Sequence, residues 1–106
     1  MNLIASYISY ISDVRRYSDR TRAIYSDVLR EFVGFAEADT DEALLETLDH
    51  QTIRSYEVFL METKGDSPRT VGLHLSVLSG FCRYLMKVKR LTANPVRTVA
   101  KPKVEK

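Results

Sequence analysis

Apolar residues recur every three or four positions along four stretches of this 106-residue chain, and that spacing is typical of amphipathic α-helices. The apolar positions of the first stretch are Leu3, Ile4, Tyr7, Ile8, Ile11 and Val14. Ser18 suits the N-cap of a second helix, because its hydroxyl can accept a hydrogen bond from a free backbone amide. The apolar positions of this second helix are Ile24, Tyr25, Val28, Phe32 and Phe35.

Two further helices have clear boundary signals. Asp49 can cap a third helix, and Gly65 can adopt the left-handed conformation that ends it. Ser67 followed by Pro68 marks the start of the fourth helix, since serine caps the free amides and proline fits the first helical position. This fourth helix is predicted to extend to about Val88. The apolar positions of the third helix are Ile53, Tyr56, Phe59 and Leu60.

The acidic segment between the second and third helices, residues 37–46, lacks this periodicity. We expect a loop there with about one helical turn, and a solvated acidic surface rather than a catalytic pair of carboxylates. Asn94 and Pro95 close the turn after the fourth helix. Sustained strand alternation, internal repeats and glycine-rich phosphate loops are absent from the sequence. The pattern therefore predicts an all-α domain, a small four-helix bundle-like fold with a basic tail.

The fourth helix has two contrasting sides at about 100° per residue. The side expected to face the core contains Val71, His74, Leu75, Leu78, Phe81, Cys82, Leu85 and Val88. The opposite side contains Arg69, Gly72, Ser76, Ser79, Gly80, Arg83 and Lys87. A solvated helix face usually mixes acids with bases at neighbouring positions, but this helix contains no acid at all.

Two explanations for the small residues on that side stay open. Gly72 and Gly80 each cost about 1 kcal/mol relative to alanine, so their presence indicates that something approaches closely. A nucleic-acid backbone can lie there, with Arg and Lys neutralising its phosphates; alternatively, another helix packs against the glycines. The candidate DNA-binding residues on this helix are Arg69, Thr70, Ser76, Arg83 and Lys87.

The second helix repeats the arrangement more weakly, because Asp27 and Glu31 lie at the margin of its basic side. Two basic helix faces in one small domain favour a clamp over DNA. Reversing the charge at Arg15 and Arg54 is expected to weaken duplex binding less than reversing it at Arg69 and Arg83. The candidate DNA-binding residues on the second helix are Arg22, Ser26 and Arg30.

Charge is segregated along the chain although the formal net charge is only +2. Residues 1–66 carry seven Lys or Arg and 13 Asp or Glu, whereas residues 67–104 carry eight cations and no acid. Segregation of this kind is typical of a protein with a polyanionic partner. A smaller basic cluster comprises Arg15, Arg16, Arg20, Arg22 and Arg30.

The sequence offers no set of residues for catalysis, a metal ion or a cofactor. His74 lies on an apolar side and is expected to be a packed histidine, and Cys82, the single cysteine, a small buried hydrophobe. Tyr17 lies between helices and can contact DNA. No apolar run approaches the roughly 20 residues of a membrane span, and a basic leader is missing, so a cytoplasmic protein is expected. The tyrosines expected to pack in the core are Tyr7, Tyr10, Tyr25, Tyr56 and Tyr84.

Three segments, "SDRTRAIYSDVLREF", "SPRTVGLHLSVLSGFCRYL" and "RLTANPVRTVAKPK", resemble the N-terminal core-binding domain of the tyrosine recombinases, the integrase and Xer-like family. The resemblance spans about residues 3–103. It implies a SAM-like helical domain that grips one side of a recombination site through its second and fourth helices. Ser79 departs from the family pattern, where Arg is frequent, and this calls one phosphate contact into question.

By this resemblance, residues 1–100 form a non-catalytic DNA-binding domain and residues 101–106 begin a linker to a catalytic domain that the chain does not contain. The implied partners are double-stranded DNA, the C-terminal catalytic domain of the same protein, and other protomers on DNA, contacted by the first helix. Two other functions stay open: a helical interaction module for an acidic protein, and a stand-alone helix-turn-helix regulator. The predicted fourth helix, about 20 residues long, exceeds most recognition helices of that motif.

Overall fold

The computed structural model describes residues 2–102, and every regular element among them is helical. The five α-helices are α1 (Asn2–Asp13), α2 (Asp19–Ala36), α3 (Asp41–Thr47), α4 (His50–Val58) and α5 (Pro68–Lys87). A π-helical turn, Phe59–Thr63, continues α4, and a 3₁₀ helix, Pro95–Thr98, follows α5. The all-α prediction is confirmed, with the four predicted helices corresponding to α1, α2, α4 and α5. The predicted linker lies outside the described residues from Lys103 onward.

The helix boundaries follow the predicted capping signals. The side chains of Ser18, Asp49 and Ser67 each accept a hydrogen bond from the backbone amide three residues later, over 3.2, 2.7 and 3.2 Å. A cap of this kind stabilises a helix by about 1 kcal/mol. Gly65 has a φ of 72°, which confirms the left-handed residue predicted before the last long helix.

The acidic segment is more regular than the sequence predicted, because it contains the seven-residue α3 rather than a loop with one turn. Thr40 caps this helix by accepting the amide three residues later at 3.0 Å, and Leu44 is fully buried. The carboxylate of Asp41 also accepts the backbone amides of Asn2 and Leu3, each at 3.2 Å. One of the acidic residues therefore caps α1 instead of forming only a solvated surface.

The core is built around the apolar side of α5, where seven of the eight predicted residues are buried. Val88 is the exception at 43% exposed, because it follows the last helical residue and leaves the helical period. Val14 is 63% exposed for the same reason, since α1 ends at the preceding residue. Val77 and Leu29 are buried although the sequence pattern did not single them out.

The helices pack in a chain of contacts, with α1 against α2 and α2 against α5. Tyr7 of α1 lies at this junction, with its ring centroid 6.4 Å from that of Tyr25 and 5.3 Å from that of Phe81. After α5 the backbone folds back, and Val96 and Val99 are buried where the 3₁₀ helix packs on α4 and α5. Among residues 2–102, no helix combines the length and apolar character needed to cross a membrane.

Candidate nucleic-acid interface

The side of α5 opposite the core is partly open to solvent. We call this side the basic strip; it comprises Arg69, Gly72, Ser76, Ser79, Gly80, Arg83 and Lys87, all of them at least partly exposed. Leu73 is 43% exposed and shares this side of the helix, although the sequence analysis did not single it out. The predicted division of α5 into an apolar and a basic side is therefore confirmed.

Within the described residues, the cations of the basic strip lack acidic partners, and two of them contact hydroxyl groups. Arg69, Arg83 and Lys87 form no ion pair with any carboxylate in residues 2–102. Arg83 Nη1 donates a hydrogen bond to Ser79 Oγ at 3.1 Å. Lys87 Nζ lies 3.5 Å from Tyr10 Oη. Because hydroxyl groups do not neutralise these charges, the strip retains a positive field that favours an anion.

The two glycines of the strip have different surroundings. A Cβ atom placed on Gly72 would meet nothing within 4 Å, so this glycine faces open space. A Cβ atom on Gly80 would lie 2.8 Å from Tyr7 Oη, closer than real Cβ contacts. Helix packing thus accounts for Gly80, whereas at Gly72 no packed neighbour explains the missing side chain.

Two serines of the strip contact the segment that follows α5. Asn94 Nδ2 donates to Ser79 Oγ at 2.9 Å, and Lys101 Nζ donates to Ser76 Oγ at 3.1 Å. Ser79 Oγ therefore accepts hydrogen bonds from both Asn94 and Arg83. The hydroxyl orients the arginine one turn later instead of supplying a charge of its own.

Thr70 lies at the edge of the strip, in the first turn of α5. Its hydroxyl accepts a hydrogen bond from Ser67 Oγ at 3.0 Å, and its carbonyl oxygen lies 2.8 Å from His74 Nδ1. Because a carbonyl only accepts, Nδ1 carries the proton of this bond. His74 is 8% exposed, which confirms the prediction of a packed histidine.

The basic residues predicted on α2 are less free than those on α5. Arg22 pairs with Asp19 and donates to Ser12 Oγ of α1 at 3.1 Å. Ser26 and the exposed Arg30 line a groove of about 490 Å³ between α1 and α2, whose other walls are apolar. Arg30 forms no ion pair within residues 2–102. The structure therefore places Arg22 and Ser26 beside α1, not beside the basic strip.

The acidic residue Glu31 of α2 takes part in an internal polar cluster. Its carboxylate accepts a hydrogen bond from Tyr56 Oη at 2.7 Å and one from Lys64 Nζ at 2.5 Å, and it lies 3.3 Å from His74 Nε2. Burial favours the neutral acid, but the bonds from Lys64 and Tyr56 outweigh it and lower the pKa of Glu31. Burial, followed by the bond to Glu31, raises the pKa of Tyr56. The cluster ties α2 to α4 and α5.

The remaining reactive side chains are inaccessible or isolated. Cys82 is fully buried, and burial raises the pKa of its thiol to about 12, so the nucleophilic thiolate is disfavoured. Within the described residues, no group of three or more His, Cys, Asp or Glu side chains could hold a metal ion.

A cavity of about 210 Å³ opens beside the C-terminal half of the basic strip, between α5 and the end of α1. We call it the Arg15 pocket; the residues with polar side chains that line it are Tyr7, Tyr10, Arg15, Tyr17, Arg83, Tyr84 and Lys87. The position of Arg15 beside α5 could not be predicted from the sequence, because no helical period links this residue to those of α5. The only signal in the sequence was its place in the smaller basic cluster between α1 and α2.

Comparison with known protein families identifies the family of this domain. The model of the family described as "Phage integrase, N-terminal SAM-like domain" matches residues 4–89. The chain belongs to this family. As the N-terminal SAM-like domain of tyrosine recombinases, it is not their catalytic part.

Curated relatives of this integrase domain match it over almost its whole length. The tyrosine recombinase XerC of Bacillus subtilis (strain 168) is 31% identical over 99% of the chain, and that of Psychromonas ingrahamii is 33% identical over 98%. The XerC of Pelobacter propionicus is 30% identical over 99%. The chain spans about a third of the length of these relatives, 34% in each case. No solved structure shows a significant match.

Proposed function

We propose that this chain is the DNA-binding domain of a site-specific tyrosine recombinase, and that it positions the enzyme on its recombination core site through the basic strip of α5. The observation that carries the proposal is a 20-residue helix whose open side holds Arg69, Arg83 and Lys87 without a carboxylate partner in residues 2–102. A strip of uncompensated cations of this kind matches a polyanion such as duplex DNA.

The shape of the strip suits a nucleic-acid backbone. Open space at Gly72 lets the helix approach a groove, while Arg69 and Arg83 reach the phosphates on either side. Thr70 and Ser76 are placed near the groove floor in this arrangement. The hydroxyl of Ser76 becomes available when Lys101, which now bonds it, turns to a phosphate instead.

The second helix adds a weaker contribution. Arg30 is exposed and unpaired within residues 2–102, so it can contact a phosphate directly, with Ser26 one turn before it. Arg22 reaches a phosphate only by leaving Asp19 and Ser12, which reduces the net gain from that contact.

In this proposal the chain contributes position and a separate catalytic domain contributes the chemistry. Residues 1–100 form the DNA-binding unit, and the segment from residue 101 begins the linker to that domain. The partners are double-stranded DNA, the catalytic domain of the same protein and other protomers assembled on the DNA. The whole protein then breaks and rejoins DNA, while this chain alone does not cut it.

Binding to a duplex of arbitrary sequence, measured across salt concentrations, tests the proposal. Neutralising about five phosphates gives a slope near −4.5 in the logarithm of affinity against the logarithm of salt. The variant with both Arg69→Glu and Arg83→Glu is expected to lose most of this binding while circular dichroism and thermal melting stay unchanged. The control variant, Arg16→Glu with Arg20→Glu, has the same net charge but leaves the basic strip intact.

Each negative result has a definite meaning. Absence of duplex binding even at low salt would favour a module that binds an acidic protein. Equal losses in the two double variants would assign the binding to net charge and not to α5. Incubation with a suicide substrate, which traps covalent protein–DNA adducts, is expected to give none; an adduct through any tyrosine of this chain would contradict the non-catalytic role.

A further inference from the structure

The Arg15 pocket brings together cations from two parts of the chain. Arg15 follows α1, whereas Arg83 and Lys87 lie one turn apart on α5. All three are exposed, and none forms an ion pair with a carboxylate in residues 2–102. No acidic side chain lines the pocket. Three like charges around one small cavity repel each other, so an anion between them is favoured.

Tyrosine rings hold two of these cations at the pocket. The guanidinium carbon of Arg15 lies 5.8 Å from the ring centroid of Tyr17, and Lys87 Nζ lies 5.2 Å from that of Tyr10. Both distances are within the range of cation–π attraction. Burial acts to raise the pKa of Tyr10, but the nearby cations Lys87 and Arg15 outweigh it and lower that pKa. Of these two cations, Lys87 is within hydrogen-bond distance of the hydroxyl, with Nζ 3.5 Å from Tyr10 Oη.

The dimensions and donors of the pocket select a small anion with several oxygens. Its volume of about 210 Å³ is below the roughly 300 Å³ at which pockets for small organic ligands begin. Two guanidinium groups provide planar pairs of N–H donors that match phosphate oxygens, and Lys87 adds an ammonium group. Arg83 and Lys87 also belong to the basic strip, so a backbone that follows the strip passes the mouth of the pocket.

We propose that the Arg15 pocket binds one phosphate of the DNA backbone, held between the guanidinium groups of Arg15 and Arg83 and the ammonium group of Lys87. This inference rests on the proposed function and adds an anchoring residue, Arg15, from outside α2 and α5. It departs from the sequence-based expectation that Arg15 matters less for duplex binding than Arg69 and Arg83. Because the three cations share a single phosphate, their contributions to binding are coupled.

The test is duplex binding of the 106-residue chain across salt concentrations for Arg15→Gln, Lys87→Gln and the double variant. Arg16→Gln is the matched control, since Arg16 is adjacent and exposed but does not line the pocket. Arg15→Gln is expected to weaken binding about tenfold at low salt, and Arg16→Gln less than twofold. Arg83 remains in the double variant, so a shared phosphate predicts that the salt slope falls by at most about 0.9, against about 1.8 for two separate phosphates.

A second measurement separates the pocket from the proposed function. Amide chemical shifts of the chain are followed by NMR during titration with inorganic phosphate. We expect shifts around Arg15, Gly80 and Arg83 that disappear in Arg15→Gln. If the wild-type chain binds duplex DNA and Arg15→Gln binds it as well as Arg16→Gln does, the phosphate site at the pocket is excluded. The proposed function then remains intact. Phosphate-induced shifts at the pocket without any effect of Arg15→Gln on duplex binding would assign it to free phosphate and overturn the DNA-backbone proposal.

Discussion

The charged side chains of α2 and those of α5 differ in what surrounds them. On α2, Arg22 is paired with Asp19, and Glu31 accepts hydrogen bonds from other helices. On α5, Arg69 and Arg83 have no carboxylate partner within residues 2–102. A phosphate at Arg22 must compete with Asp19, whereas a phosphate at Arg69 or Arg83 displaces no carboxylate within residues 2–102. Within the described part of the chain, Arg22 and Glu31 of α2 are therefore engaged within the fold, Arg30 is not, and the cations of α5 are free for the proposed ligand.

The largest expected effect comes from neutralising matched pairs of arginines on the two helices. Arg69→Gln with Arg83→Gln should weaken duplex binding by about 100-fold, since two charge-assisted contacts are lost. Arg22→Gln with Arg30→Gln should weaken it by about tenfold, because Arg22 already has Asp19 as a partner and only the contact of Arg30 is lost in full. Fluorescence anisotropy at low salt measures both. Similar losses of duplex affinity for the two pairs would show that the arginines of α2 and α5 contribute equally to DNA binding.

Substitutions of Glu31 test whether this charged residue of α2 stabilises the fold. Glu31→Ala should lower the free energy of unfolding by about 1 to 3 kcal/mol, because the buried hydroxyl of Tyr56 loses its acceptor. Urea denaturation at pH 7 gives the value. Glu42→Ala, at an exposed position of α3, is the control and should change stability by less than about 0.5 kcal/mol.

The same carboxylate gives a pH dependence with a definite sign. The folded-state pKa of Glu31 is below its usual value of 4.5, so the charged form stabilises the fold above that pH. This stabilisation is lost as the pH falls from about 4.5 through the folded-state pKa. Glu31→Gln should therefore flatten the stability profile on the acid side. A variant profile that falls as steeply as that of the wild type would exclude Glu31 as a source of the acid sensitivity.

Gly80 tests how closely α1 approaches the strip. Gly80→Ala should destabilise the domain by about 1 kcal/mol, because the new methyl group meets Tyr7 Oη at 2.8 Å. In a Tyr7→Phe background the nearest ring atom is Cζ at 4.0 Å, so the same substitution should stabilise by up to about 1 kcal/mol. A double-mutant cycle in urea measures the coupling. Additive effects would mean that this contact does not limit the space at Gly80.

Gly72 should respond in the opposite way and by the smallest amount. Gly72→Ala is expected to stabilise the chain by up to about 1 kcal/mol, since the added methyl group meets nothing within 4 Å. Gly72→Leu should keep stability near that of the wild type yet weaken duplex binding severalfold through steric exclusion. Thermal melting and anisotropy give the two values. A loss of about 1 to 3 kcal/mol in Gly72→Leu would instead indicate packing at this position.

The sequence was most informative where a feature depends on neighbouring residues. The caps at Ser18, Asp49 and Ser67 and the two sides of α5 follow from local hydrogen bonding and from a period sustained over many residues. α3 was missed because seven residues are too few for that period to stand out. Val88 was placed in the core by extending the period one residue past the helix end.

Features that depend on contacts distant in sequence could not be predicted. The two glycines of the strip look alike in the sequence, and only the position of Tyr7 on α1 separates them. Arg15 lies in the acidic half of the chain, so counting charges by segment assigned it no role beside Arg83. Asp41 likewise caps α1, which begins 39 residues earlier in the chain. A contact over this separation cannot be predicted from a local sequence pattern.

The fold-back after α5 determines how the domain responds to mechanical load. Val96 and Val99 are buried, and Lys101 bonds Ser76 in the middle of the basic strip. Tension applied at residue 102 therefore acts first on the middle of α5, through the bond to Ser76, and not on the C-terminal end of that helix. Under force, the 3₁₀ segment must detach from the core before α5 can unwind. Lys101 lies at the surface proposed to hold DNA, so a pull on the neighbouring residue is transmitted directly to the proposed DNA contact.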